Sequence, residues 1–339
     1  MHLQSQLKPA TRFVVIGTST GGLAALKSLL ADLPVSLPAA VMITMHIGKH
    51  GSVLPSLLSG STALKVVFAE DQLIPLEGHV YIAPPDRHLL MDRRGLRLLR
   101  GAKENHARPA IDPLFRSAAM SYRSNVIGVV LTGDLDDGTV GLQAIKTSGG
   151  AAIVQDPTEA DAPGMPSSAL RYVEIDRCLP LSEMGPCLIQ MLEDMGDPVD
   201  TTTASSSEPY AKENQICFQG GVTDPQVLQQ LGEASGLTCP DCGGGLWQMG
   251  HAPLRFRCHT GHSFTADTLQ QEQDNVLEEA IWVAIRSLHE KTMLFQRQAA
   301  SARDAGREES AVEYDTASIE LEEHSATLRK LMSALGQTP

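Results

Sequence analysis

Three turns in the first half of the chain carry side chains suited to nucleophilic chemistry. Ser19 lies in a turn rich in Gly, Ser and Thr, His46 follows an apolar run, and Asp137 lies in a turn rich in Gly and Asp. A serine hydroxyl becomes a nucleophile when a histidine accepts its proton and a carboxylate orients that histidine. Such triads occur in several chain orders. The sequence therefore predicts acyl transfer with Ser19 as nucleophile, His46 as general base and one carboxylate of the Gly/Asp-rich turn as orienting acid.

Each turn also has a simpler interpretation. The turn around Ser19 is compatible with phosphate binding or with helix capping, although it matches neither G-x-G-x-x-G nor a P-loop with its lysine. His50 competes for the role of base. The three carboxylates of Asp134, Asp136 and Asp137 also suit a divalent metal or a solvated turn. Taken singly these residues are ambiguous, and their joint position at strand ends favours the triad.

The elements that must position these residues read as alternating strands and helices. Val/Ile-rich runs bounded by Gly, with helical patterns at Leu23–Leu30 and Gly141–Thr147 between them, predict a doubly wound α/β fold with a mostly parallel sheet. The turns that follow parallel strands lie at one edge of the sheet, where ligands bind. The predicted strands are Phe13–Ile16, Ala40–Thr44, His79–Ala83, Val126–Leu131 and Ala151–Val154.

A second group of reactive side chains lies in the C-terminal half. Cys239 and Cys242 form a C-x2-C pair, and fifteen residues later Cys258 and His262 form a C-x3-H pair. Two ligand pairs on two turns supply the tetrahedral donors that a structural Zn2+ needs. His259 is a competing fourth ligand, and a redox C-x-x-C is the main alternative, although its βαβ context is missing. The spacing predicts a small zinc-ribbon module with structural Zn2+.

Composition predicts four segments. Residues 196–214 are rich in Thr, Ser, Pro and acidic residues, which predicts a flexible linker. The catalytic segment, 1–195, precedes it, and the zinc-ribbon-like module, 215–265, follows. In residues 266–339, two apolar stripes broken near Gly306 predict an α-helical hairpin. We expect the catalytic segment to fold and act without the segments that follow the linker.

Charge and hydropathy exclude several classes of protein. The formal net charge of −13 makes nucleic acid a poor candidate partner. No apolar run approaches the ~20 residues that cross a bilayer. The N-terminus lacks the apolar core of a signal peptide. We therefore expect a cytoplasmic protein without direct membrane insertion.

Six ordered motifs lie between about Arg12 and Met191, namely VIGTSTGG, ITMH, VYIAPPDRH, ARPAIDPLF, VVLTG followed by a DG pair, and PGMP. Together they resemble the catalytic domain of the chemotaxis protein-glutamate methylesterase (CheB-like) family. The resemblance implies a doubly wound parallel α/β fold, and it carries the family nucleophile, base and acid onto Ser19, His46 and Asp137. It implies hydrolysis of glutamate γ-methyl esters on the cytoplasmic signalling helices of methylated chemoreceptors, and in some members deamidation of receptor glutamines. No cofactor is needed for that catalysis.

Two features depart from the usual family pattern. Asp134-Leu135 stands where members usually have Met-Gly, in a loop that shapes the oxyanion site, so we expect the extra carboxylate to weaken transition-state stabilisation. The matching region begins near Arg12, so we expect this protein to differ from usual members in having no phosphoacceptor receiver domain before it. The zinc ribbon followed by helices is similar to the C-terminal extension of some receiver-less members.

Two other functions stay open from the sequence alone. The Asp134-Leu135 departure is compatible with a catalytically weak or silent adaptor that binds receptors and carries a zinc ribbon, and the Gly-rich turn is compatible with nucleotide binding. Four further residues of the matching motifs are expected either to shape the cleft or to serve the structure alone. They are Arg108, Asp112, Gln155 and Met165.

Overall fold

The structure, a computed structural model, describes residues 8–197 and 210–335, with Leu335 described by its backbone alone. The chain divides into two units, of which the first extends to Leu269 and the second begins at Gln270. Within the described ranges, no helix combines the length and hydropathy that crossing a bilayer requires.

A seven-stranded sheet forms the centre of the first unit. Its strand order is β3-β4-β2-β1-β7-β8-β9, and every neighbouring pair is parallel. The chain therefore extends the sheet from β1 first on one side and later on the other, which places the switch point between the ends of β1, β2 and β7. The strands up to this point of the chain, including the separate antiparallel hairpin β5–β6, are β1 (Phe13–Thr18), β2 (Ala40–Met45), β3 (Lys65–Phe68), β4 (His79–Ile82), β5 (His88–Asp92), β6 (Gly95–Leu99), β7 (Val126–Val130), β8 (Ala151–Gln155) and β9 (Arg177–Leu179).

Helices cover both faces of this sheet. Alternate residues of β1 point to opposite faces, so that Phe13 and Val15 join one buried cluster while Val14 and Ile16 join the other. Residues of α3, α4 and α5 belong to the first cluster, and residues of α1, α2 and α6 belong to the second. The predicted doubly wound α/β class is confirmed. The helices are α1 (Gly22–Ala31), α2 (Leu54–Ser59), α3 (Ile111–Tyr122), α4 (Thr139–Thr147), α5 (Gly164–Tyr172) and α6 (Leu181–Asp194), with a 3-10 turn at Arg123–Asn125.

A second, four-stranded sheet follows in the same unit. It is antiparallel, with the order β10-β11-β12-β13, and it carries the Cys/His motif. Two short helices precede it. These elements are α7 (Ala211–Phe218), α8 (Pro225–Gln229), β10 (Glu233–Thr238), β11 (Gly245–His251), β12 (Leu254–Cys258) and β13 (Ser263–Thr265).

The segment predicted as a linker, 196–214, differs from that prediction at its end. Residues 198–209 lie outside the described ranges, but α7 already begins at Ala211. Glu213 and Asn214 are buried, because Glu213 pairs with Arg255 and the Asn214 side-chain amide donates to the Arg116 carbonyl. Composition alone assigns such polar residues to solvent, since it does not show their buried partners. The ribbon therefore shares the first unit with the catalytic segment.

The C-terminal residues form the predicted pair of helices, α9 (Ala266–Asp304) and α10 (Glu308–Leu335). Gly306, between them, has a φ of 70°, a left-handed conformation that glycine adopts without a Cβ clash. In the second unit, the rings of Phe295 and Tyr314 stack with centroids 6.0 Å apart. Gln296 donates to Glu322 at 3.2 Å. These contacts join the two helices in their facing halves next to Gly306.

Candidate active site

Ser19, His46 and Asp137 meet at the switch point of the main sheet. The Ser19 Oγ lies 3.1 Å from His46 Nδ1, and His46 Nε2 lies 2.8 Å from Asp137 Oδ2. A carboxylate only accepts hydrogen bonds, so this partner places the histidine proton on Nε2 and leaves the Nδ1 lone pair facing the serine hydroxyl. His46 is partly exposed, whereas Asp137 is buried. The arrangement suits proton transfer from Ser19 to His46.

Adjacent strands set these positions. Ser19 follows β1, and its backbone N–H donates to the Thr132 carbonyl beyond β7 at 3.0 Å. The N–H of His46, after β2, donates to the Thr18 carbonyl at 3.2 Å. Gly133 allows the turns to approach closely, because a Cβ there would lie 3.0 Å from the Cβ of Ser19 and 2.2 Å from the sulfur of Met165. His50 is exposed and takes no part in these contacts.

The amino end of α3 binds the carboxylate of Asp137. The backbone N–H groups of Ile111 and Asp112 donate to it at 2.7 and 3.1 Å, and the Asn105 side-chain amide donates at 2.9 Å. A helix amino terminus favours negative charge. Burial raises the pKa of Asp137. The hydrogen bond and charge of His46, with the hydrogen bonds from Ile111 and Asn105, lower this pKa by more than burial raises it. The pKa of Asp137 therefore lies below its usual value. Asp137 is thus held ionised beside His46.

Asp112 lies beside this carboxylate and binds the amino end of α4. Its Oδ1 accepts from the backbone N–H groups of Gly138 and Gly141 at 3.1 and 2.7 Å. Its Oδ2 accepts from the Asn105 amide at 3.0 Å, so one amide nitrogen joins Asp112 and Asp137. Burial and the neighbouring charge of Asp137 raise the pKa of Asp112 above its usual value. Asp112 therefore supports the turn and lies behind the reacting groups.

The three carboxylates of the 133–138 turn face three different partners. Asp134 accepts from Thr20 Oγ1 at 2.6 Å, whereas Asp136 accepts from two threonine hydroxyls of the ribbon and α9. Asp137 faces His46. These bonds do not gather the three side chains around one point, so the geometry favours the triad over a shared cation site in this turn.

The backbone hydrogen bonds around Ser19 and in the 132–135 turn show which N–H groups are already used and which could bind an oxyanion. Ser19 N–H and Gly133 N–H already donate to the carbonyls of Thr132 and Ala162. In the described chain, the N–H groups of Thr20 and Asp134 donate to no backbone carbonyl outside regular elements. Preorganised N–H groups of this kind stabilise a developing oxyanion. Leu135 has a φ of 60°, in the left-handed region.

The other motif residues make structural contacts. The side-chain oxygen Oε1 of Gln155 accepts from Thr132 N–H at 2.9 Å, and Met165 is buried against Gly133. Arg108 donates to Asp86 and to the Gly101 carbonyl. None of the sequence motifs includes Asn105, so its contact with Asp137, the triad acid, was not predicted. Its left-handed φ of 49° brings its amide to both carboxylates, and only the folded loop shows this.

The Cys/His group forms a second candidate site, in the ribbon. The ligand atoms of Cys239, Cys242, Cys258 and His262 all lie within 4.8 Å of one another, and this is the one such group of His, Cys and acidic residues within the described ranges. The Cys242 and Cys258 sulfurs are 3.7 Å apart, and the Cys258 sulfur is 3.6 Å from His262 Nδ1. Tetrahedral Zn–S and Zn–N bonds imply separations of ~3.8 and ~3.6 Å. The donor set fits a tetrahedral metal, with His262 and not His259 as the fourth member.

Comparison with known proteins places the main sheet and its site in a described family. The sequence profile of the family described as CheB methylesterase matches residues 14–188, more than half of the chain. A solved structure, the Thermotoga maritima CheB methylesterase catalytic domain, matches with a TM-score of 0.51 and 34% sequence identity. That match covers 53% of this chain and 98% of the Thermotoga chain.

Curated relatives match the same part of the chain. A Leptospira interrogans protein, provisionally named protein-glutamate methylesterase/protein-glutamine glutaminase, is 36% identical over 52% of this chain and 93% of its own length. A Hydrogenovibrio crunogenus protein named protein-glutamate methylesterase/protein-glutamine glutaminase is 35% identical over 55% of this chain. The match spans only 50% of that second relative, so relatives of different lengths share this segment.

Proposed function

This chain belongs to the CheB methylesterase family, and on that premise we propose that it hydrolyses glutamate γ-methyl esters on the cytoplasmic helices of methylated chemoreceptors, with Ser19, His46 and Asp137 as the catalytic triad. The chain of contacts from the Ser19 hydroxyl through His46 to Asp137 carries the proposal, since both distances suit hydrogen bonds. Relatives are named for both ester and glutamine hydrolysis. The same site is therefore also proposed to deamidate receptor glutamines.

The proposed reaction has two steps. His46 Nδ1 takes the proton of Ser19 as its Oγ bonds to the ester carbonyl carbon, and the histidine then protonates the leaving methoxide, which departs as methanol. Water next attacks the acyl-serine, again losing its proton to His46, and the proton returns to Ser19 as the glutamate carboxylic acid leaves. Asp137 keeps the Nε2 proton in place throughout. In deamidation, ammonia departs in place of methanol.

The decisive experiment measures methanol release from methylated receptor fragments, with Ser19→Ala as the inactive variant. Ser59→Ala is the matched control, because Ser59 is exposed and its hydroxyl donates only to the Pro55 carbonyl of its own helix. A fluorophosphonate probe should label Ser19 and no other residue. Release of methanol by Ser19→Ala would refute the proposed nucleophile. Receptor binding without labelling of Ser19 would support the adaptor function that the Asp134-Leu135 departure leaves open.

We also propose that Cys239, Cys242, Cys258 and His262 hold a structural Zn2+. The separations of their donor atoms support this, and Asp241 lies 3.9 Å from the remaining nitrogen of His262, where a carboxylate orients a ligand imidazole. The metal would stabilise the fold of the ribbon. His262→Ala should lower the zinc content of the purified protein well below one per chain, whereas His259→Ala should not. The reverse result would reassign the fourth ligand.

A further inference from the structure

Two turns that contact or carry Asp137 are also bound by the ribbon. One is the 104–107 loop, which carries Asn105, and the other is the 133–138 turn, which carries Asp137 itself. Both are held by residues of β12, β13 and the first turn of α9, all within the unit that ends at Leu269. Their contacts connect a region outside the family match to the triad acid.

The first contact is made by Asp136, the neighbour of the triad acid in the chain. Its Oδ1 accepts from Thr265 Oγ1 at 2.8 Å and from Thr268 Oγ1 at 3.2 Å. The Thr268 N–H in turn donates to Thr265 Oγ1 at 3.2 Å. All three side chains are buried, with Asp136 2% exposed and each threonine 1% exposed. A buried carboxylate requires such donors, so the two hydroxyls fix where this turn lies.

The second contact is made by the backbone of Asn105. Its N–H donates to the Ser263 carbonyl at 2.7 Å, and the Ser263 N–H donates to the Lys103 carbonyl at 3.3 Å. The loop therefore pairs with β13 as a short parallel bridge. Asn105 and His106 both have left-handed φ angles, of 49° and 57°. Because residues other than glycine rarely hold this conformation without support, the pairing to β13 helps keep the Asn105 amide on Asp137.

The third contact is a buried group of charges. Glu104 accepts from Arg116 of α3 at 2.8 Å and from Arg257 of β12 at 3.1 Å. Burial alone raises the pKa of Glu104, yet the charges of Arg116 and Arg257 lower it to about 2. Removing one partner of a buried ion pair leaves an uncompensated charge, which is strongly destabilising. The ribbon strand is thus required for the charge balance of the loop that carries Asn105.

The proposed metal ligands adjoin the strands that make these contacts. Cys258 is the last residue of β12, and His262 directly precedes β13. Asp241 lies between His262 and the loop, since its carboxylate is 3.4 Å from His106 Nδ1. An ordered ribbon therefore fixes the same backbone that supports Asn105.

We infer that β12, β13 and the first turn of α9 position the catalytic triad, acting through Thr265, Thr268 and the 104–107 loop on the turn that carries Asp137. This inference rests on the proposed esterase function. The four residues Asn105, Asp136, Thr265 and Thr268 are positioning residues, because they act on the reaction through Asp137. The ribbon is then part of the working esterase, in contrast to the expectation from the sequence that the catalytic segment acts without it, and the state of its metal site controls activity.

The test replaces both hydroxyl donors in the full chain. Thr265→Val with Thr268→Val keeps the side-chain shape and removes the bonds to Asp136, whereas Thr265→Ser with Thr268→Ser keeps the hydroxyls. Thr292→Val is the matched control, a buried threonine whose hydroxyl donates to Leu288 within α9. We expect the valine pair to lower kcat at least tenfold with little change in KM and to slow fluorophosphonate labelling of Ser19 equally. The serine pair and the control should keep wild-type values and wild-type zinc content.

The outcomes separate this inference from the proposed function. Wild-type labelling and kcat in a folded, zinc-loaded valine pair would overturn the positioning role alone. Absence of labelling in the wild-type protein would overturn the esterase function itself. If the double variant does not fold, Thr268→Val alone removes the longer of the two bonds and is measured in the same way.

Chelation supplies a readout that does not depend on activity. Removing metal from the full chain should speed hydrogen exchange in residues 104–107 and 134–138 while the β1, β2 and β7 amides stay protected. Added Zn2+ should restore both the protection and the labelling rate. Unchanged exchange in these two turns after the metal has been lost would overturn the coupling between the ribbon and the triad.

Discussion

The Asp137 carboxylate binds the amino end of α3, the helix that carries Asp112, and the Asp112 carboxylate binds the amino end of α4, the helix that follows Asp137. Asp137, which directly precedes Gly138 and α4, accepts from the first N–H groups of α3, and Asp112, in the first turn of α3, accepts from N–H groups at the start of α4. The Asn105 amide joins the two carboxylates. This exchange locks α3 and α4 together directly behind His46, so the orientation of the triad acid depends on both helices.

The amide of Asn105 is therefore expected to matter for both stability and rate. Asn105→Ala leaves two buried carboxylates short of a donor, which should cost about 1–3 kcal/mol of the free energy of unfolding. We expect kcat to fall as well, because Asp137 loses one of the bonds that hold it against His46. Urea unfolding and methanol release measure the two effects. Asn275→Ala, at an exposed position of α9, is the control, and an equal loss in both variants would contradict this role.

Ser19 and His46 are expected to fail together. Ser19→Ala, His46→Ala and the double variant should lose nearly equal activity, because members of one catalytic unit are strongly non-additive. Steady-state methanol release from the three variants measures this. If the losses of the single variants multiply in the double variant, the two residues do not act as one unit.

The carboxylate of Asp134 is expected to slow the reaction. It is bound to Thr20, directly after the nucleophile, and negative charge there opposes a developing oxyanion. Asp134→Asn keeps an acceptor for Thr20 and removes the charge, so kcat should rise by several-fold, equivalent to about 1 kcal/mol. Asp134→Met removes both. A higher rate in the methionine variant alone would assign the effect to the contact with Thr20, and no increase in either variant would refute it.

Asp136 is expected to make stability depend on pH. Burial raises its pKa from 3.8 to about 6, because the hydrogen bonds from Thr265 and Thr268, which lower this pKa, offset burial and the charges of Asp267 and Asp137 only in part. The folded state therefore holds this proton more tightly than the unfolded state, so its contribution favours folding most below about pH 4 and is lost as pH rises to about 6. Asp136→Asn removes this titration. Relative to wild type, the variant should gain up to about 3 kcal/mol between pH 4 and pH 7 in urea unfolding. A difference that stays constant with pH would contradict the assignment.

Most strands of the main sheet could be predicted from the sequence because each is a local run of apolar residues followed by a turn. Apolar runs such as Val126–Leu131 are long and end in Gly-rich turns, and their carboxyl ends define the edge where Ser19, His46 and Asp137 meet. The edge strands β3 and β9, with four and three residues, were missed because so short a run carries little periodicity. The hairpin β5–β6 was missed as well.

The contacts that support the active site could not be predicted from the sequence in the same way. Thr265 and Asp136 are 129 positions apart, and no local pattern links the last residue of a ribbon strand to an acid in a distant turn. Glu213 and Asn214 were assigned to a linker because their composition is polar, yet the fold buries both against charged or amide partners. Pairing between distant polar residues is decided by the tertiary structure, and so it escapes a reading based on composition.

The ion pair between Glu104 and Arg257 joins residues separated by 153 positions, which bears on the order of events during synthesis. All seven strands of the main sheet are outside the ribosome once Leu179, the last residue of β9, has emerged, and they can assemble before the ribbon has emerged. At that stage Glu104 and Asp136 lack their partners in β12, β13 and α9. The nascent chain can therefore hold a folded sheet before its catalytic turns are in place, and the last bonds around Asp137 form only after Thr268 has emerged.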